Sequence, residues 1–364
     1  MRLGRVWGAL FLILALIAVT GCGQPTKSPE PKKTPTPVTA PSTTPSTTPS
    51  TTPTPAKTLT AKIAPGPIGG VLWLSEMVAE GLGSFKEQGV DMTTLSLPGG
   101  NEATKALMSG EADFACIAID NALKNIAQGA DLVLVGYLTK DPGLVMIVQS
   151  DLKGKVTSVK DLKGMTVGVS SMGGGTHSAV LTLMKQAGMQ ESDIQFVAAK
   201  DQLVKMWEAK QISAAMHTDP QISELTNKGE AWVLYDLRNP TDTMKIYGTE
   251  YPLGVLVTRR DVVEKQPELV QRVVSAILSA NKYIQTHSAT EIAATIPSQY
   301  KANVSGYEKM VSDNLPGLAL TMTVKQDSLD TVIRELREKK TIPADAQLDL
   351  TKVVNMTFVE KGTK

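Results

Sequence analysis

An abrupt change of composition at Lys57 constrains the fold of this chain more than any other feature. Before it, Gln24 to Lys57 is built almost wholly from Pro, Thr, Ser and Lys, with the unit Pro-Ser-Thr-Thr repeating from Pro41. With almost no large apolar side chains, such a stretch cannot bury enough surface to offset the entropy of ordering. Proline biases it toward extended polyproline II, at about 3.1 Å per residue, so it reads as a passive spacer reaching up to ~100 Å. After it come about 300 residues, enough for two domains of ordinary size.

From Leu59 onward, short apolar runs alternate with amphipathic stretches, the pattern of an α/β protein. Strands are expected at 60–64, 91–97, 113–117 and 132–137, with helices at 70–85, 102–109 and 121–127. The run 144–148 follows. A second unit opens with a strand at 166–169 and continues through strands near 195–198, 214–216 and 232–236. Its helices are expected at 176–186, 202–209 and 220–228. A strand at 253–258 returns, and a long amphipathic helix at 268–286 leads into a helical tail with no sheet of its own. Such a tail is expected to pack on the first unit. Two lobes joined by two crossing segments result, with a cleft between them. The expected boundaries are 58–149 and 251–364 for the first lobe and 150–250 for the second.

The N-terminus adds a location. Arg2 and Arg5 precede an apolar stretch from Val6 to Val19, about the length of a signal-peptide core and short of the roughly twenty residues of a membrane span. Val19-Thr20-Gly21-Cys22 resembles the lipobox of bacterial lipoproteins. That resemblance implies a signal peptide over 1–21, lipid attachment at Cys22, and a tether over 22–57. The chain is then extracytoplasmic and lipid-anchored to the outer face of the cell membrane, since two or three acyl chains anchor stably where one does not.

Composition excludes other classes. The 37 Lys and Arg balance 36 Asp and Glu, and no basic stripe appears, so no nucleic-acid partner is expected. Of two cysteines, Cys22 is taken by the anchor, which leaves Cys116 unpaired and precludes an intramolecular disulfide. Three histidines without paired His/Cys spacing give no metal site. Neither a cofactor nor a catalytic constellation is evident, and a monomer is expected.

Several segments carry a resemblance. Phe85-Lys86-Glu87-Gln88-Gly89-Val90-Asp91, Gly100-Asn101-Glu102-Ala103 and Ser109-Gly110-Glu111-Ala112-Asp113-Phe114 follow one another in order. Asp161-Leu162-Lys163-Gly164-Met165-Thr166-Val167-Gly168-Val169 opens the second lobe, and a further match lies in Asp261 to Val273. Together these resemble the sulfonate/nitrate/taurine-type substrate-binding proteins of ABC importers, over nearly everything from Lys57 onward. The resemblance implies a type II periplasmic-binding-protein fold, two α/β lobes joined by two hinge crossings, that closes on a small-molecule ligand. It also implies delivery of the solute to an ABC permease and its ATPase. A ligand-sensing lipoprotein for a membrane signalling partner is the alternative. An enzyme of the thiamin-pyrimidine or menaquinone-pathway type on the same fold is a further one.

In open α/β sheets, ligands bind beyond the carboxyl ends of the strands, near helix N-termini. Four places answer to that rule. Pro67 and Ile68 lie in the glycine-bearing loop after the first strand. Gly100 and Asn101 open the next helix, with Asn101 read as an N-cap or a ligand contact. Asp120 and Asn121 follow the strand that carries Cys116; Asn121 suits a polar ligand, whereas Asp120 would repel an anion. The glycine-rich turn Ser170 to His177 offers backbone donors at a helix start, which suits an oxyanion. Here the resemblance carries ligand contact to Ser171, Gly175, Thr176 and His177. Across the cleft, Thr218-Asp219-Pro220 keeps the acid and proline of the family's Trp-Glu-Pro but lacks the aromatic. Asp219 either recognises an amino group or caps the following helix. Tyr251, with Tyr247, is either a pocket aromatic or hinge packing.

Overall fold

A computed structural model of the chain describes residues 57–66, 69–301 and 306–363. Cys22, Pro67 and Ile68 lie outside the described residues. Among the described residues no helix is long and apolar enough to cross a membrane.

Among the described residues, ten strands build two five-stranded sheets. β1 (Leu59–Pro65), β2 (Val90–Thr94), β3 (Phe114–Ala118), β4 (Leu132–Tyr137) and β10 (Gly254–Arg259) form the first, in the order β2-β1-β3-β10-β4. β5 (Val145–Gln149), β6 (Thr166–Val169), β7 (Gln195–Ala198), β8 (Ala214–His217) and β9 (Ala231–Asp236) form the second, in the order β7-β6-β8-β5-β9. The two sheets share one plan. Three strands run parallel, and a fourth, delivered by a crossing, inserts antiparallel between the third and the fifth. This is the arrangement of two α/β lobes joined by two crossings that the sequence resemblance implies.

Burial follows position in the sheet. The inserted strand β5 is buried at every residue, as a strand covered on both faces must be, whereas the edge strands β2 and β7 are partly exposed. β4 is also a sheet edge, yet it is buried throughout, because the C-terminal tail covers it through a bridge between Leu134 and Val354. The Pro267–Thr286 helix starts with proline at its first turn and buries Leu269, Val270, Val273, Val274 and Ile277 along one stripe. It packs against the Leu74–Leu82 and Thr357–Gly362 helices.

Three expectations are corrected. The run 144–148, expected in the first lobe, pairs as β5 with β8 and β9 in the second sheet. The first crossing is therefore the segment 138–144. The single helix expected over 70–85 is broken, because Gly83 turns left-handed at φ 76° and ends the Leu74–Leu82 helix. Finally, the tail packs on the first lobe as expected but also bonds to the second. Thr182 Oγ1 donates to Glu335 Oε2 at 2.9 Å, and Asn314 Nδ2 donates to Asp219 Oδ2 at 2.8 Å.

The crossings are stitched to one another. Thr139 Oγ1 accepts the backbone N–H groups of Leu253 (3.2 Å) and Gly254 (2.9 Å), and Leu138 N donates to Gly254 O at 2.8 Å.

Candidate functional site

The ends of β1, β3, β6, β7 and β8 meet a cavity of about 160 Å³ between the lobes. Gly66, Gly99, Gly100 and Asn121 line it from the first lobe. Ser171, Gly175, Thr176, Lys200 and Thr218 line it from the second. Leu144 and Leu253, one from each crossing, complete the wall with Leu72 and Trp73.

Glycine is required where these loops approach one another. A Cβ on Gly66 would lie 2.8 Å from the Gly100 backbone, and one on Gly100 would lie 2.7 Å from Asn121 Nδ2. The amide side chain of Asn121 is thereby held against the start of the Gly100–Ser109 helix. Across the cleft, Ser170 N donates to Thr176 Oγ1 at 3.0 Å and the two hydroxyls meet at 2.7 Å, which fixes the turn 170–176.

Three helices begin at this cavity: Gly100–Ser109, Ile119–Ala127 and Gly175–Gln186. None has a side-chain cap at its N-terminus. The first N–H groups of a helix have no intrahelical acceptor, and the helix dipole makes that end partially positive. The Gln221–Asn227 helix, whose N-cap position is Pro220, differs in having a carboxylate at its first turn: Asp219 Oδ1 accepts Ser223 N at 2.9 Å and Ser223 Oγ at 2.6 Å. The uncapped ends point donors from both lobes at one space. Among the described lining residues the charged groups are Lys200 and Glu102.

The expected site residues divide. Gly100, Asn101, Asn121, Ser171, Gly175 and Thr176 all line the cavity. Asn101 does so from inside its helix, since the N-cap position belongs to Gly99, not to Asn101. Asp120 is buried behind the wall: its carboxylate lies 3.7 Å from the point a Gly175 Cβ would occupy and finds no partner beyond its own residue. Burial raises its pKa to about 6, against the lowering effect of Lys339.

His177 faces away from the cavity. Its Nδ1 accepts Gly173 N at 3.2 Å, so the ring proton sits on Nε2, 3.6 Å from Glu191; burial lowers its pKa. Asp219 is also withdrawn, between Ser223, Arg238 and Asn314, so it ties these groups together rather than contacting a ligand. Tyr251 stacks on Tyr247 at 4.0 Å between ring centroids and lies outside the lining. It belongs to packing at the return crossing.

Lys200 was missed. It follows β7 in a left-handed conformation (φ 46°), and its carbonyl meets His217 Nε2 at 3.2 Å. Its place just past a strand's carboxyl end was the available signal. His217 is fully buried, and burial lowers its pKa, so it is neutral at neutral pH.

Comparison with known proteins places this geometry. The family described as NMT1/THI5 like matches residues 74–290. YtlA of Bacillus subtilis (strain 168), a binding protein by name, is 22% identical over 237 residues, which are 61% of this chain and 66% of that protein. A protein of Escherichia coli (strain K12) named for binding aliphatic sulfonates is 25% identical over 201 residues, 55% of this chain and 59% of its own. The chain thus spans somewhat under two thirds of the length of these curated relatives. Among solved structures, the periplasmic nitrate-binding protein NrtA from Synechocystis PCC 6803 superposes with a TM-score of 0.68 at 14% identity. That superposition covers 85% of this chain and 89% of NrtA and speaks to the fold alone.

Proposed function

The chain belongs to the NMT1/THI5-like family, and from that premise we propose that it is a solute-binding protein of an ABC import system. It captures a small solute between its lobes and presents it to a membrane permease served by an ATPase. The observation that carries this reading is the convergence of three uncapped helix N-termini, from both lobes, on one interlobe cavity.

Size and polarity narrow the solute. A cavity of about 160 Å³ is below the roughly 300–1,000 Å³ of sites for drug-sized molecules, which suits a small solute. Uncapped amides, the Asn121 side chain and Lys200 favour an oxyanion end, as in a sulfonate, nitrate or carboxylate. Leu72, Trp73, Leu144 and Leu253 offer an apolar wall to the rest of the molecule. Relatives named for sulfonate and nitrate binding agree with that chemistry.

The lipobox-like Cys22 and the Pro/Thr tether support a position outside the cytoplasm with attachment to the membrane by lipid. Replacement Cys22→Ala is expected to release the protein into the medium; membrane retention of that variant would rule the anchor out. For the solute, a thermal-shift screen with sulfonates, taurine, nitrate, pyrimidines and small carboxylates is the direct test. A binder raises the melting temperature in proportion to RT ln(1 + [L]/Kd). If no member shifts it, the proposed solute classes are wrong.

A further inference from the structure

Behind the first turn of the Gly175–Gln186 helix lies a second groove, of about 540 Å³, that shares no lining residue with the solute cavity. Both lobes build it. Lys124, Arg337, Lys339 and Lys340 come from the first-lobe side, and His177, Ser178 and Glu191 from the second.

Its charge is one-sided. Four cationic side chains face one carboxylate, Glu191, whose side chain is 61% exposed. Lys339 pairs with Glu335 at 3.0 Å, and Asp120 also lies within its field. Lys124, Arg337 and Lys340 form no ion pair among the described residues.

Donors in this lining are also left over. Among the described residues, Arg337 Nε, Ser178 Oγ and the protonated Nε2 of His177 are buried without a hydrogen-bond partner, whereas Lys339 Nζ has Glu335. The Lys339 side chain is 8% exposed and Ser178 is 4% exposed. A buried donor without an acceptor is destabilising by about 1–3 kcal/mol, and native structures tolerate few of them. Three such donors on the walls of one cationic groove share a single chemical need: several acceptor oxygens carrying negative charge.

We infer that this groove is a second ligand site, built for a small, multiply charged oxyanion of the phosphate class. Tetrahedral oxygens meet the guanidinium, ammonium, hydroxyl and imidazole donors together, and charge-assisted bonds of this kind are the strong ones. Because the walls come from both lobes, a bound anion ties them across the groove. It also touches the turn 173–177, whose Gly174, Gly175 and Thr176 line the solute cavity on the other side. The site is separate from the solute site and stands whatever solute the cavity takes.

The test is calorimetric titration of inorganic phosphate into the full-length chain and two variants. Lys124→Gln/Lys340→Gln removes two exposed cations of the groove without disturbing the core. Lys200→Gln removes the cation of the solute cavity. One phosphate per chain is expected. Its affinity should fall about tenfold or more in Lys124→Gln/Lys340→Gln, through loss of charge-assisted contacts, and stay unchanged in Lys200→Gln. Absence of phosphate binding to the unmodified chain overturns the inference. So does equal affinity in the groove variant, or loss in Lys200→Gln. A parallel titration with phosphatidylglycerol vesicles separates a free oxyanion from a lipid headgroup, and binding to vesicles alone also overturns it.

Discussion

Arg238 Nη1 donates to Asp219 Oδ2 at 3.1 Å, with the arginine side chain 9% exposed and the aspartate fully withdrawn from water. Asn314 Nδ2 reaches the same oxygen from the C-terminal tail, and Arg238 also pairs with Asp313 at 3.4 Å. A second-lobe ion pair is thus locked to two first-lobe side chains beside the cleft. Arg238 keeps Asp236 at 2.6 Å and Asp313 when Asp219 is removed, but Ser223 and Asn314 lose a buried acceptor. Asp219→Ala is therefore expected to lower unfolding free energy by about 1–3 kcal/mol in denaturant titration. A change below about 0.5 kcal/mol, the range of ordinary surface substitutions, would show the lock to be ornamental.

Glu76 gives stability a pH dependence. It is buried, makes no hydrogen bond, and burial, then the charge of Glu80, raises its pKa to about 8. The folded state therefore holds a proton that the unfolded state releases above its ordinary carboxylate range, and stability falls as pH rises from about 4.5 toward 8. The loss attributable to this group is of the order of 3 kcal/mol between mildly acidic and mildly basic pH. Glu76→Gln should flatten that slope; an unchanged slope in the variant would remove Glu76 as its source.

Thr139 holds the crossings together through one hydroxyl that accepts two buried backbone N–H groups. Thr139→Val keeps the shape and removes the acceptor, so a destabilisation of about 1–3 kcal/mol is expected. Thr139→Ser should recover most of it. If Thr139→Val melts at the temperature of the unmodified chain, the hydroxyl does not hold the crossings.

Lys200 is expected to set the charge preference of the cavity that it lines. Removing one charge-assisted contact weakens binding by about 1.5–3 kcal/mol, or more than tenfold. Lys200→Gln should show that loss for an anionic solute by calorimetry and little loss for a neutral one. Equal losses for both would mean that the side chain shapes the cavity rather than selecting charge.

Most of the fold was legible because its signals are local. The runs at 132–137, 166–169 and 195–198 are short, apolar or β-branched, and bounded by turn residues, and they match β4, β6 and β7 residue for residue. The lobe of β5 was not legible, since an apolar run that is buried on both faces carries no mark of the strands it will pair with. The helix Pro240–Tyr247 was overlooked although Asn239 and Pro240 spell a helix start, and the Asn239 side chain accepts Thr241 N at 2.9 Å.

The site divided along the same line. Residues whose backbone makes the loop, such as Gly100, Gly175 and Thr176, fell in the cavity because position alone decides them. His177 and Asp120 depended on which way a side chain leaves its helix, and tertiary packing turned both away. Asp219 kept its place beside the cleft, but its carboxylate was claimed by Ser223, Arg238 and Asn314.

Solute capture between the lobes is tested most directly by titrating the panel of sulfonates, taurine, nitrate, pyrimidines and small carboxylates into the unmodified chain and into Ser171→Trp. Ser171 lines the cavity from a partly exposed turn, so an indole there fills the space without entering the core. One class is expected to bind the unmodified chain with one molecule per chain and to lose at least about tenfold in affinity to the variant. Binding of equal strength to Ser171→Trp, or no binding by any member of the panel, would contradict capture between the lobes.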